Sequence, residues 1–227
     1  MSATPTRADL ARRIDHTLLA PEATPAQIDH LCDACLERGY FAACVEPGWV
    51  RHCARRLTGG ETVVVAAVGF GQLTAAASNK GLQARRALED GAAEIDMLAD
   101  LAALIVGDKT AVVRDIASVV EAAKRVNQDA IVKVILETPA LTNDQIIFGC
   151  RCVAEAQADF VGAGAGVHST GAVTADHVAL LRKHSAPIKV KAGGVSDDLK
   201  NALAMIEAGA DRLGVLAGAN LDGTRAL

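Results

Sequence analysis

An α/β fold of the (β/α)8 TIM-barrel kind is what this sequence predicts, and three observations carry it. Short apolar runs of strand length alternate with longer amphipathic stretches along all 227 residues. Several of these strands follow a helix stop built on glycine, as in "ERGYFAACV", "EDGAAEIDML" and "EAGADRLGV". Eight strand runs, each followed by a helix, in about 200–250 residues make a closed parallel barrel. An open doubly wound sheet would need an early Gly-x-Gly-x-x-Gly turn for a dinucleotide, and the sequence has none. No linker or low-complexity segment divides the chain, so residues 1–227 read as one domain.

In chain order, strands are expected at 13–17 (RIDHT), 41–45 (FAACV), 62–68 (TVVVAAV), 93–98 (AEIDML), 130–136 (AIVKVIL), 158–162 (ADFVG), 187–192 (PIKVKA) and 211–215 (DRLGV). The amphipathic stretches between them place helices near 25–38, 47–57, 75–90, 109–126, 143–156, 172–184 and 196–208. The last helix, in "GANLDGTRAL", is short. Hydrophobic residues make up 51% of the chain but aromatics only 3%, so the core must be aliphatic.

Composition also narrows the function. The net charge is −4 with both signs mixed throughout, which argues against nucleic acid as a partner. No apolar stretch approaches ~20 residues, so no membrane partner is expected. The N-terminus "MSATPTRADLARRID" lacks a signal-peptide core, and a cytoplasmic protein is expected. The six cysteines include no pair of CxxC motifs with zinc-ribbon spacing, and Cys32 and Cys35 share one helical face. They read as reduced, buried thiols, and neither a metal nor a cofactor is expected.

Active sites of such barrels lie at the C-terminal strand ends. That rule selects Asp15, Cys44, Glu46, Asp96, Lys133, Glu137, His168, Lys189 and Lys191, with Gly193, Gly194, Gly214 and Gly218. Lys133 interrupts "AIVKVIL", Lys191 interrupts "IKVKAGG", and Asp96 lies within "EIDML". A charge inside an apolar strand is costly unless it is paired or reaches a polar cavity. Two readings follow. Lysines close together, beside an apolar wall, let one amine lose its proton and attack a carbonyl, with a carboxylate shuttling protons. Alternatively, the lysines are structural ion-pair partners of Asp96 and Glu137. The glycines after strands seven and eight either form an anion site of backbone N–H groups or simply make tight turns.

Longer stretches carry a resemblance. "IDHTLLAPEAT", "ACVEPGWV", "VAAVGFGQLTAAASNKGLQARRALEDGAAEIDM", "VKVILETPALTNDQI", "AEAQADFVGAGAG" and "KAGGVSDDLKNALAMIEAGADRLGV" together resemble the 2-deoxyribose-5-phosphate aldolase family over nearly the whole chain. The resemblance implies a (β/α)8 barrel and Schiff-base aldolase chemistry. It matches Asp15 and Asp96 to the family's active-site aspartates, Asp96 as proton relay, Lys133 to its strand-five lysine and Cys44 to its cysteine. Lys191 matches the second active-site lysine if one residue is deleted, because the family reads VKASGG or VKAAGG where this chain reads "VKAGG". Without that deletion Val190 takes the position, flanked by Lys189 and Lys191.

The resemblance breaks at its chemical centre. Where the family reads approximately DFVKTSTGF and its lysine forms the Schiff base, this chain reads "DFVGAGAGV", with Gly162 at the nucleophile position. The family's GTSSG phosphate motif is here "GVLAG". Three readings therefore stand: aldolase-type carbonyl chemistry with the amine moved to Lys191 or Lys133; a repurposed acid/base enzyme of specialised metabolism (cyclase, isomerase, dehydratase or condensing enzyme) that forms no imine; and a non-catalytic binder. The exchange of polar for small or apolar residues suggests a larger, less polar, unphosphorylated substrate. Gly162, His168 and Glu46 join Cys44, Gly193, Gly194 and Gly218 as candidate substrate contacts. Trp49 either lines that pocket or packs a helix. The expected partner is a small-molecule substrate, with a homodimer as the candidate assembly.

Overall fold

The computed structural model describes residues 6–70, 76–165, 171–195 and 198–217. Eight parallel strands close into a barrel in sequence order: β1 (Ile14–Leu18), β2 (Ala42–Val45), β3 (Val63–Val68), β4 (Glu94–Leu98), β5 (Ile131–Ile135), β6 (Phe160–Gly162), β7 (Lys189–Val195) and β8 (Arg212–Leu216). β8 pairs back to β1 through Asp15 and Gly214. Around them lie α1 (Arg7–Ala11), α2 (Pro25–Arg38), α3 (Val50–Arg56), α4 (Ala77–Glu89), α5 (Leu101–Val106), α6 (Lys109–Val126), α7 (Asn143–Glu155), α8 (Ala175–Ser185) and α9 (Leu199–Glu207). The barrel is thus the expected one. No helix among the described residues is long and apolar enough to cross a membrane.

The differences from expectation are local and have causes. Residues 47–57 are not one helix. Pro47 and Gly48 open a 3₁₀ turn over Pro47–Trp49, and α3 begins only at Val50. α1 was not anticipated, although Thr6 and Asp9 form a capping box around its start. α5 was also missed. Its "LAALIV" is apolar without a period, and only the Asp100 cap and the left-handed Gly107 stop mark it. β7 runs to Val195, past the expected end at 192, and slips in register against β8 between Ala192 and Val195. "GANLDGTRAL" begins at residue 218 and lies outside the described residues.

Alternation along each strand separates two apolar compartments. Outward residues such as Ile95, Met97, Val132 and Val134 pack under the helices and are fully buried. Cys32, Cys35, Cys53, Cys150 and Cys152 belong to this layer, as small buried hydrophobes. Inward residues Ala42, Cys44, Val65, Ala67, Leu98 and Ile135 form a second cluster inside the barrel. Their small size on β2 and β3 leaves room for the charged side chains from the other strands.

Outside the barrel, one ion pair among the described residues is wholly buried. Lys80 of α4 donates from Nζ to the carboxylate of Asp115 on α6 and to the carbonyl of Leu98, each at 2.7 Å. Asp115 also accepts the backbone N–H of Asp100 at 3.0 Å, so two helices are tied to the end of β4. Removing one partner strands a buried charge. Lys80→Ala is therefore expected to cost about 3 kcal/mol in urea denaturation. A loss under about 1 kcal/mol would mean that water reaches Asp115 in the variant.

Candidate active site

Six charged side chains from five strands meet inside the barrel. Arg212 of β8 donates to Asp15 Oδ1 of β1 at 2.7 Å, and Lys191 of β7 donates to Asp15 Oδ2 at 2.6 Å. Lys191 also reaches Asp96 Oδ2 of β4 at 2.5 Å. Lys133 of β5 donates to Asp96 Oδ1 at 2.8 Å and lies 2.6 Å from Glu94 Oε2 of β4. Arg212 closes the circuit on Glu94 Oε2 at 3.2 Å. Asp15, Glu94 and Asp96 thus alternate with Lys191, Lys133 and Arg212 in one closed ring, in which every residue is buried. The ring is electroneutral when all six groups are ionised, which is how charges in a low-dielectric interior are tolerated.

The strand pattern explains the gathering. Asp15, Glu94, Asp96, Lys133, Lys191 and Arg212 all have inward parity, and pairing puts Asp96 beside Lys133 and Lys191 beside Arg212. Lys191 is paired with Gly162; it faces the barrel interior and bonds both aspartates. Lys189, two residues earlier, is exposed, with Nζ 5.6 Å from the centre of the Phe160 ring.

Protonation follows from this geometry. Burial alone would push Lys191 down, but Asp15 and Asp96 more than offset it and hold the amine well above the usual lysine value. Burial likewise opposes ionisation of Asp15 and Asp96, and the neighbouring lysines override it and hold both below the ordinary carboxylate range. Lys133 is raised against its own burial by Asp96, Asp15 and Glu94. Carboxylates thus lie between the two lysines and favour the charged form of Lys191, where the sequence suggested one lysine lowering the other.

Above the ring is a small cavity. Thr17, Cys44, Asp96, Lys191, Gly193 and Gly194 are among its lining, with an apolar wall that includes Phe70, Ile135 and Leu216. Its volume is about 20 Å³, room for about one water. The Cys44 thiol lies 3.9 Å from Asp96 Oδ2, and burial, reinforced by Asp96, pushes it up. The Gly-Ala-Gly-Ala stretch does not leave open space beneath this cavity. A Cβ on Gly162 would lie 2.2 Å from Ile135 Cδ1, and one on Gly193 would lie 2.0 Å from the Gly164 carbonyl oxygen. Side chain and backbone thus fill the space beside both glycines.

The β5 end braces this closure. Thr138 N–H donates to Ala163 O at 2.6 Å, and Ala165 N–H donates to Glu137 Oε2 at 3.0 Å. Glu137 itself has φ +60°, a left-handed backbone that a non-glycine residue adopts only under constraint from its surroundings. It turns to β6, and the partners of the two lysines are Asp15, Glu94 and Asp96.

Of the predicted site residues, the structure brings Asp15, Asp96, Lys133 and Lys191 into the ring, and Cys44, Gly193 and Gly194 to the cavity. Gly162 lies below the lining, against Ile135. Glu46 follows β2 half-buried, raised by its burial, and is not part of the cavity wall. Trp49 packs edge-on to His52 at 5.9 Å and against the outer core. His168 and Gly218 lie outside the described residues. Sequence reading missed Glu94 and Arg212. The same argument that singled out Lys133, a charge at an inward strand position, would have found both.

Comparison with known proteins agrees with the fold. The family model described as DeoC/LacD family aldolase matches residues 10–221. The deoxyribose-phosphate aldolase of Brevibacillus brevis is 40% identical over 214 residues, covering 94% of this chain and 95% of its own. That of Streptococcus uberis is 41% identical over 209 residues, covering 92% and 93%. Among solved structures, the tetrameric deoxyribose phosphate aldolase of Aeropyrum pernix superposes with a TM-score of 0.84 at 30% identity, covering 92% of this chain and 87% of that one.

Proposed function

The chain belongs to the DeoC/LacD aldolase family, and from that premise we propose that it makes or breaks a C–C bond beside the carbonyl of a small, unphosphorylated substrate, using Lys191 as acid and Asp96 as base. The observation that carries this reading is the contact of Lys191 with both Asp96 and Asp15 at the floor of the cavity. The Lys191 ammonium donates to the substrate oxygen on which negative charge develops. Asp96 takes the proton of the hydroxyl on the carbon being released, and the electrons of the C–C bond pass into the enolate that Lys191 stabilises. Asp15, Lys133, Glu94 and Arg212 hold the pair in place. Leu216 in the cavity wall, where the family carries a hydroxyl, supports a substrate without phosphate.

A second reading keeps an imine, now on Lys191. It is supported by the contact of Nζ with Asp96, the carboxylate that would have to receive the amine's proton. Borohydride treatment with a panel of aldehydes and ketones, followed by intact-mass measurement, separates the two. The first reading expects turnover with no trapped adduct, and an adduct mapped to Lys191 establishes the second. Cleavage of 2-deoxyribose 5-phosphate is expected to be absent or very weak, because Gly162 cannot form an imine and the phosphate hydroxyls are gone. Robust cleavage in a coupled aldehyde assay would show that another lysine replaces the lost amine and that backbone amides at Gly193, Gly194 and Gly218 suffice for phosphate.

A further inference from the structure

Arg212 lies at the opposite end of the ring from the cavity. Its guanidinium stacks on Phe41 at 3.6 Å from the ring centre, with Phe160 at 5.7 Å, below the level of Asp15. Two aromatic faces and two carboxylates therefore fix a cation that cannot lose its proton. The groups facing Lys191 come from every charged strand of the barrel. They are Asp15 on β1, the Cys44 thiol on β2, Glu94 and Asp96 on β4, Lys133 on β5 and Arg212 on β8, with Lys189 farther down β7. The inward residues of β3 (Val63, Val65, Ala67) and of β6 (Phe160, Gly162) carry no charge.

We propose that Arg212 is a positioning residue: as the permanent cation of a closed ring of six alternating charges, it keeps the ring neutral, and so keeps Asp96 ionised and Lys191 an ammonium without touching substrate. Arg212 takes Asp15 Oδ1, which the lysines then need not share, and meets Lys133 on Glu94 Oε2. Asp15 gives Oδ1 to Arg212 and so presents Oδ2 to Lys191. Glu94 bridges Arg212 and Lys133, so the charge of Arg212 is felt on both sides of Asp96. A neutral ring has no net drive to take up or release a proton. A ring of net charge −1 does, because a buried unpaired carboxylate is stabilised by protonation.

The test is one of charge balance and needs no substrate, so it stands or falls separately from the aldol reading on which this role for Arg212 rests. Arg212→Met is expected to take up about one proton at neutral pH, seen as the infrared C=O stretch of a buried carboxylic acid that the unchanged protein lacks. Arg212→Lys, which keeps the charge, is expected to show no such band. Glu94→Gln combined with Arg212→Met removes one charge of each sign and is expected to abolish the band as well. Glu94→Gln alone leaves the ring at +1, and a buried lysine should then lose its proton at least about one pH unit lower, read by NMR of ¹³C-labelled lysine. This last measurement carries the test if Arg212→Met does not fold. Where turnover is measurable, the acid limb of its pH profile should move up in Arg212→Met and return in the double variant. A charge-blind structural role would not produce that rescue. Absence of the carboxylic band in folded Arg212→Met, persistence of the band in the double variant, or unchanged lysine titration in Glu94→Gln would each overturn the proposal.

Discussion

Lys191→Ala is expected to lower turnover by about 10³-fold, the scale of a lost general acid, whichever aldehyde or ketone the enzyme processes. Asp96→Asn should cost at least as much, since it removes the base and leaves Lys191 with Asp15 alone. A larger loss in Lys191→Ala than in Asp96→Asn, together with loss of a trappable adduct, would instead assign the reaction to an imine. The same substitution is expected to destabilise the fold by about 3 kcal/mol at neutral pH, because it leaves the buried ring with an uncompensated negative charge. The pH dependence of that penalty has a definite sign. Asp15 and Asp96 are depressed in the folded protein, so their stabilisation is complete above about pH 5 and is lost as pH falls toward their lowered values. Lys191 is raised, so its stabilisation is present below about pH 10 and is lost only above it. In Lys191→Ala the carboxylates are no longer held down by that lysine. The gap between variant and unchanged protein should therefore be widest at neutral pH and narrow below about pH 4. A gap that does not vary with pH in denaturation curves would mean that the penalty is one of packing, not charge.

Much of this was legible before the structure, for physical reasons that also mark where legibility ended. The strands announced themselves because a barrel buries both faces of each one, which leaves compact apolar runs such as "TVVVAAV" between helices with clear periods. Asp96, Lys133 and Lys191 stood out because a charge in such a run demands an explanation. Glu94 and Arg212 carry the same signal but lie toward the strand starts, and attention to the C-terminal ends passed over them. Lys80 sits on a helix whose exposed face is also rich in charge, and nothing local distinguishes a buried lysine there. What the sequence could not reveal was the response of the surroundings to lost side chains. Gly162 and its neighbours read as removed volume, whereas Ile135 from the preceding strand lies beside Gly162 and the Gly164 carbonyl beside Gly193. The direction in which a neighbour relaxes depends on tertiary contacts that no single strand encodes.

That closure leads to a contrast between two glycines on adjacent strands. Gly193→Ala is expected to cost about 3 kcal/mol or more and to reduce turnover about 10²-fold. Its Cβ would lie 2.0 Å from the Gly164 carbonyl oxygen and 3.1 Å from that carbonyl carbon. This backbone cannot easily retreat, since Ala163 N–H is held by Lys191 O at 2.9 Å and Ala165 N–H by Glu137 at 3.0 Å. Displacing β7 instead would move Lys191, two residues away, off its aspartates. Gly162→Ala meets a softer obstacle, the terminal methyl of Ile135 at 2.2 Å, with the nearest backbone atom at an ordinary 3.4 Å. Ile135 can rotate, at a cost of about 1 kcal/mol, but the open space available to it is the cavity it already lines. Gly162→Ala should therefore fold well and show its defect as a raised KM, while Gly193→Ala should lose both stability and kcat. Urea denaturation and steady-state kinetics of the two variants decide the matter. Equal tolerance at both positions would mean that the β6 and β7 ends can part, and that the mouth of the barrel is wider in solution than the closed glycine contacts allow.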